Sequence, residues 1–310
     1  MRRPGGNNTG QHYRVIILKP ENHINACKEF YNMETTRIAL VQMQAETGKI
    51  ESNINKIRNF TSSAARQKVD IICFPELCVQ GYHREQTPPL AEPVPGKSSL
   101  AISRLSREEG VIILAGIAEK SPLNKPYITQ LLAFPDGRVE IYRKTHLGRS
   151  EMPYFSRGEV LPVFSWEKAR LGVQICWDLH FPEVSAILSL KGAEIIFAPH
   201  ASPTIVGDRR DIWLKYLSAR AYDNTVFLAA CNLVGGDGTG QSFCGGTMVI
   251  DPKGNVLAED FNGGESMLIA DLDSALLNKI RRRESGSMRH SFYLEGRRPE
   301  LYGDLLINKD

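Results

Sequence analysis

From residue 37 onward, short and nearly continuous apolar runs alternate with stretches whose apolar positions recur three or four apart. The runs at 37–43, 70–74, 111–117, 171–175, 193–198, 225–230 and 266–270 read as buried strands. Ile50, Ile54, Ile57 and Phe60 predict a helix over about 51–67. Leu100 and Leu105 fall among the apolar positions of a second helix over 98–109, with Gly110 at its end. Helices are also expected over 210–222 and 272–282. Residues 128–134 and 138–143 flank Pro135-Asp136-Gly137, and 247–250 and 255–258 flank Asp251-Pro252-Lys253-Gly254, which reads as two β-hairpins. Buried strands alternating with helices imply an α/β layered architecture with helices outside, and the hairpins make the sheet mixed. Each half of the chain runs from a helix-strand series into a hairpin, a faint sign of pseudo-twofold layering. No linker interrupts 33–310, so that span is expected to form one domain.

The two ends differ from this pattern. Residues 1–32 are polar, rich in Gly and Asn at the start, and lack periodicity; Met33 leads directly into the first strand. The expectation is that Met33 is the natural start and 1–32 a loosely attached or non-native extension. From about 284 the tail is again irregular and polar, with Arg297-Arg298-Pro299. Over 310 residues, 42% are apolar and 24% charged, with a net charge of +3. That charge, without a long basic run, argues against a nucleic-acid partner. No apolar run approaches the roughly 20 residues of a membrane span, and the N-terminus carries no secretory segment. Cys27, Cys73, Cys78, Cys176, Cys231 and Cys244 form no C-x-x-C pair and no zinc spacing, so no metal is expected. Six thiols without export signals fit a cytoplasmic location.

Candidate chemistry centres on residues 170–182. The apolar run 171–175 ends in Cys176, and Pro182 stands where proline is tolerated in a first helical turn, with 183–189 continuing at helical spacing. A side chain on such a strand-turn-helix elbow is exposed on a rigid frame, near helical N–H groups that favour a thiolate and a developing oxyanion. Alone, Cys176 reads as a small buried hydrophobe. Two further features sit at strand ends: Glu76 in Phe74-Pro75-Glu76-Leu77, and Lys144 in Tyr142-Arg143-Lys144-Thr145-His146-Leu147. Strand ends in open α/β folds converge on a ligand-binding rim. There a carboxylate shielded from water can take the thiol proton, and an ammonium can stabilise the oxyanion. Read singly, Glu76 is a turn acid, Lys144 a solvated charge and His146 a structural histidine.

Together, in this order and with Gly172-Val173-Gln174-Ile175-Cys176-Trp177-Asp178, the three motifs resemble the nitrilase superfamily of carbon–nitrogen hydrolases. The resemblance runs from about Arg37 to Asp273 and includes Asn232. It implies a four-layer αββα sandwich, a Glu76-Lys144-Cys176 triad, no cofactor, and homodimers or larger homo-oligomers joined through helix faces and C-terminal tails. It also implies an accessory glutamate after the lysine, for which Glu151, followed by Phe155 and Gly158, is favoured over Glu119. Asp178 is expected to cap the elbow helix. Trp177, His180 and His200 are the candidate substrate-binding residues.

The implied reaction is cysteine-dependent hydrolysis of a small amide or N-carbamoyl amine through a thioester. Relatives acting on nitriles carry Trp-Glu where this chain has Trp177-Asp178, which places a nitrile hydrolase second. Leu179 and His180 stand where relatives handling acidic substrates have arginine, although Arg209 or Arg210 offers a substitute. A catalytically silent binding member of the same fold is the rival from another class, but such proteins lose a triad residue. A cysteine peptidase would leave the acid and the lysine unexplained. Residues 235–240 follow a strand without opening a helix, so they read as a flexible loop rather than a dinucleotide site.

Overall fold

The computed structural model describes residues 33–122, 124–282 and 286–307. The extension expected at 1–32 lies outside the described residues. The elements in chain order are β1 (Thr36–Gln42), α1 (Ile50–Arg66), β2 (Ile71–Cys73), α2 (Lys97–Glu109), β3 (Ile112–Glu119), β4 (Tyr127–Ala133) and β5 (Val139–Arg143). There follow β6 (Phe164–Ser165), β7 (Arg170–Val173), α3 (Pro182–Leu190), β8 (Ile195–His200), α4 (Arg209–Asn224) and β9 (Phe227–Asn232). The last are β10 (Val234–Gly236), β11 (Ser242–Cys244), β12 (Thr247–Ile250), β13 (Val256–Asp260), β14 (Ser266–Leu272) and α5 (Ser274–Arg281).

Two six-stranded sheets result, ordered β14-β1-β2-β3-β4-β5 and β13-β12-β9-β8-β7-β6. Each has a parallel trio, β1-β2-β3 or β7-β8-β9, flanked by antiparallel strands. The sheets face each other: Cys231 Sγ on β9 lies 3.9 Å from Cys73 Sγ on β2. Helices α1 and α2 cover the outer face of the first sheet, and α3 and α4 that of the second, which gives the αββα sandwich. The parallel strands are buried on both faces because a helix layer and the opposite sheet enclose them. The halves of the chain supply one sheet and its two covering helices each, except that β14 returns to pair antiparallel with β1 and α5 follows it.

Several expectations change in detail. Leu100 is 58% exposed, while Ile102 and Leu105 face inward with Ser98, Ser99, Ser103 and Ser106. Five residues separate Leu100 from Leu105, which puts them on different faces of a helix with 3.6 residues per turn. Ser106 Oγ bonds the carbonyls of Val111 and Ala133, so the polar face of α2 is stitched to the sheet rather than solvated. The 235–240 stretch spans the tip of the β10–β11 hairpin. Asp237 closes it by accepting from the backbone N–H of Thr239 and of Gln241. After α5, residues 288–306 form a succession of 3-10 turns, in keeping with an irregular tail. Among the described residues, no helix is long and apolar enough to cross a membrane.

Candidate active site

Three strand ends deliver the site. Beyond β2, the chain turns at Pro75-Glu76-Leu77, held by Phe74 N–H donating to Leu114 O and by Gln130 Nε2 donating to Phe74 O. Lys144 directly follows β5; its N–H donates to Ile128 O and its carbonyl accepts from Gly158 N–H. Cys176 opens a five-residue 3-10 turn, Cys176–His180, between β7 and α3. The elbow is therefore a strand, a 3-10 turn and only then a helix, because Phe181 must be extended ahead of Pro182. Cys176 has φ +45° and Leu77, beside Glu76, has φ +50°. Non-glycine residues in this region carry roughly 1–3 kcal/mol of strain, so two of the site's corners are held in place by their surroundings.

The Lys144 ammonium is the hub. It is 1% exposed and lies 2.8 Å from Glu76 Oε1, 2.8 Å from Glu151 Oε1 and 3.0 Å from Glu151 Oε2. Burial alone would pull the lysine down, but the charges of Glu151 and Glu76 hold its pKa well above the ordinary value. Glu76 is fully buried. Burial pushes its pKa up to about 7 against the pull of Lys144, with the Glu151 charge adding to the rise. Its other oxygen accepts from Ala201 N–H at 3.0 Å. Glu151 also accepts from Tyr82 Oη and from Gly148 N–H, both at 2.8 Å. The partly buried Cys176 thiol is pushed up to about 12 by burial and by Glu76, with Lys144 opposing. Its Sγ lies 3.7 Å from Ser202 Oγ.

The sequence-predicted residues thus separate into groups. Glu76, Lys144, Glu151 and Cys176 form one cluster. Lys144, Glu151 and Cys176 border a cavity of about 810 Å³, whose walls also include Trp177, His180 and His200. Glu76 lies behind that wall. Trp177 and His180 are exposed and pack on each other, and His180 also packs on Tyr216. His200 is buried against Trp213 and engages Ala198 O at 2.8 Å through Nδ1; burial and then Arg209 depress its pKa well below the usual value. Glu119 stands apart, bonded to the Arg143 guanidinium and to Thr129 Oγ1. Arg210 faces outward onto Glu259. Asp178 does not cap the elbow helix, because Phe181, extended ahead of Pro182, stands at the N-cap of α3 and Asp178 lies inside the preceding 3-10 turn. It accepts from Ile175 N–H, Tyr142 Oη, Thr145 Oγ1 and His146 N–H, and so ties the cysteine turn to the segment after Lys144. The sequence reading missed Tyr82 and Tyr216 as cavity residues, whereas the 200–203 stretch expected to line the pocket does so. Tyr216 lies seven positions after Arg209, two helical turns along the same face of α4, a spacing that could have revealed it. Asn232 bonds Ser202 through both main-chain groups and so fixes that wall.

The family profile for carbon-nitrogen hydrolase matches residues 37–282. The chain belongs to the carbon-nitrogen hydrolase family. Among relatives of this hydrolase, an (R)-stereoselective amidase of Pseudomonas sp is 31% identical over 275 residues, covering 88% of this chain and 96% of that one. An N-carbamoylputrescine amidase of Solanum lycopersicum is 31% identical over 284 residues, covering 84% and 91%. The hydrolase fold is shared with the amidase of Nesterenkonia sp. AN1, from the nitrilase superfamily. One solved form of that amidase shows covalent addition of the acetamide moiety of fluoroacetamide at the active site cysteine. It has a TM-score of 0.75 and 27% identity, covering 87% of this chain and 96% of that one.

Proposed function

We propose that this hydrolase cleaves the C–N bond of small linear amides, with Cys176 as nucleophile, Glu76 as general base and acid, and Lys144 as electrostatic stabiliser. The observation that carries the reading is the buried Lys144 ammonium held between Glu76 and Glu151 beside a strained, cavity-facing thiol. The amidase names of the relatives and the cysteine adduct of the Nesterenkonia enzyme support it. With its thiol held well above neutrality, Cys176 attacks only as its proton leaves. A base with a pKa near 7 is suited to take that proton.

Glu76 accepts the Sγ proton as Sγ bonds to the amide carbon. Lys144 and the Trp177 backbone N–H stabilise the oxyanion. The C–N bond breaks as Glu76 returns the proton to the departing ammonia, leaving a thioester. Water then attacks that carbon and gives a proton to Glu76. The S–C bond breaks, the acid is released and the proton returns to sulfur. Glu151 is the positioning residue that fixes the Lys144 ammonium. No step calls for a metal or organic cofactor. The homo-oligomer remains part of this reading, with the tail from about 284 as the contact.

The test is ammonia release from a panel of primary amides, N-carbamoyl amines, N-carbamoyl amino acids and aliphatic nitriles, with Cys176→Ala as blank. Ammonia from amides that disappears in Cys176→Ala is the expected result. Ammonia with carbon dioxide from a ureido compound would move the substrate class to N-carbamoyl amines. Activity surviving in Cys176→Ala would overturn the mechanism.

A further inference from the structure

Just beyond β8, two neighbouring residues touch both the base and the nucleophile. Ala201 N–H donates to Glu76 Oε2 at 3.0 Å, and Ser202 has its Oγ 3.7 Å from Cys176 Sγ. Ser202 is held firmly from behind. Its N–H donates to Asn232 Oδ1 at 2.7 Å, and its carbonyl accepts from Asn232 Nδ2 at 3.2 Å and from Cys244 Sγ at 3.5 Å. Asn232 is itself fully buried and also donates to Gly245 O at 2.9 Å. Pro203, the next residue, is bridged to Phe243.

All of these supports engage the main chain of Ser202. Alanine at this position would be clamped equally well, so the clamp gives no reason for a hydroxyl. Ser202 is nevertheless 5% exposed, and among the described residues its Oγ meets no polar partner other than Cys176 Sγ. A nearly buried hydroxyl is expected to use its hydrogen bond, and here one partner is in reach. The direction of that bond follows from the chemistry. The Sγ proton is the one Glu76 removes, so the hydroxyl donates and the sulfur accepts. A neutral thiol is a weak acceptor, whereas a thiolate makes a charge-assisted bond. Burial and then the Glu76 charge push the thiol up to about 12, while Lys144 and the Ser202 hydroxyl pull the other way.

We infer that Ser202 is a further catalytic residue, whose hydroxyl donates to the Cys176 sulfur and stabilises the negative charge that develops there. The inference deepens the proposed function and rests on Cys176 as its nucleophile. Ser202 gives up no proton; the Sγ proton passes to Glu76 and on to the departing ammonia. In the thioester the sulfur is again a poor acceptor, and the bond strengthens once more as the S–C bond breaks during hydrolysis. The contact therefore favours the charged-sulfur states over both the thiol and the thioester, which is the differential binding that catalysis needs.

The experiment measures alkylation of Cys176 by iodoacetamide at neutral pH, located by peptide mass mapping, with Cys176→Ala as blank. Alkylation needs no amide turnover, so it reads the sulfur directly. Losing a hydrogen bond to an ion lowers the thiolate population roughly 10- to 150-fold, and the greater nucleophilicity of a more basic sulfur restores about half of that on a logarithmic scale. Ser202→Ala should therefore slow alkylation about 3- to 20-fold, and kcat/KM for an amide should fall with it. Ser202→Thr, which keeps the hydroxyl, should recover most of both rates. Ser202→Gly is a second hydroxyl-free variant that keeps the main-chain clamp, and thermal midpoints check that each variant is folded. An unchanged alkylation rate in either folded hydroxyl-free variant overturns the inference, whatever amide turnover does. Slowed alkylation that Ser202→Thr fails to restore also overturns it, because the loss then follows from shape rather than from the hydroxyl. Slowed alkylation restored by Ser202→Thr upholds the sulfur contact. If amide hydrolysis then survives in Cys176→Ala, the contact stands and the amidase reading falls.

Discussion

Glu76 governs how the proposed reaction responds to pH. Its carboxyl is raised to about 7 by burial, and the base form is the ionised one, so kcat/KM should fall as pH drops through that value. On the alkaline side both Lys144 and Cys176 titrate far above neutrality, so the rate should hold level to pH 9 or so. Glu151→Gln removes a negative charge that helps to raise Glu76, so the acid limb should move to lower pH while turnover falls. A limb that stays in place, or unchanged turnover, would remove Glu151 from its positioning role. Glu76→Gln should lower kcat at least about 100-fold, as expected for loss of a general base. Glu119→Gln tests the opposite case. Its partner Arg143 is partly exposed, so the change should cost about 1–2 kcal/mol in urea unfolding without moving the acid limb.

At the scale of single elements, the site depends on close backbone approaches that only some residues permit. A Cβ on Gly116 of β3 would stand 2.2 Å from Leu77 N and 2.6 Å from Pro75 O, the backbone on either side of Glu76. Gly116→Ala should therefore push the glutamate turn away, costing about 1–3 kcal/mol of stability. Turnover should fall more than stability does, read by comparing kcat with the thermal midpoint. The cysteine turn depends on Asp178 in the same way. In Asp178→Asn one acceptor becomes a donor facing backbone N–H or hydroxyl donors, so urea unfolding should show a loss of about 2–4 kcal/mol. An unchanged midpoint would mean that the turn is fixed by packing alone.

At the scale of the whole molecule, the site lies where two sheets meet. Glu76 and Lys144 come from strands of one sheet; Cys176 and the His200–Ser202 wall come from the other. Strand β14 returns from the end of the second half to close the first sheet against β1 over seven paired positions, so a chain cut before residue 266 would leave an apolar edge open. The tail beyond α5 carries Met288, Leu301, Leu305, Leu306 and Ile307, all more than half exposed. Deleting residues 286–310 should yield a smaller species by sedimentation; an unchanged sedimentation coefficient would take the tail out of assembly.

Much of this was readable from residue order alone. Apolar runs marked the strands of both parallel trios because those strands are buried on both faces and so lack polar positions. Ile54 and Ile57 marked α1 because that helix buries one side. The triad candidates were readable because each sits in a local motif at a strand end. Other features depend on residues far apart in sequence. Leu100 looked like core because spacing gives the faces of a helix but not which one turns inward. Glu119 and Glu151 were rivals until the structure showed that Glu151, in the loop after Lys144, reaches the ammonium, while Glu119 at the end of β3 is bonded to Arg143. Arg209 and Arg210 were interchangeable until the orientation of α4 left Arg210 on Glu259 and turned Arg209 into the cavity wall. Local propensity and periodicity are written in neighbouring residues; the partner of a buried charge is written only in the packing of distant ones.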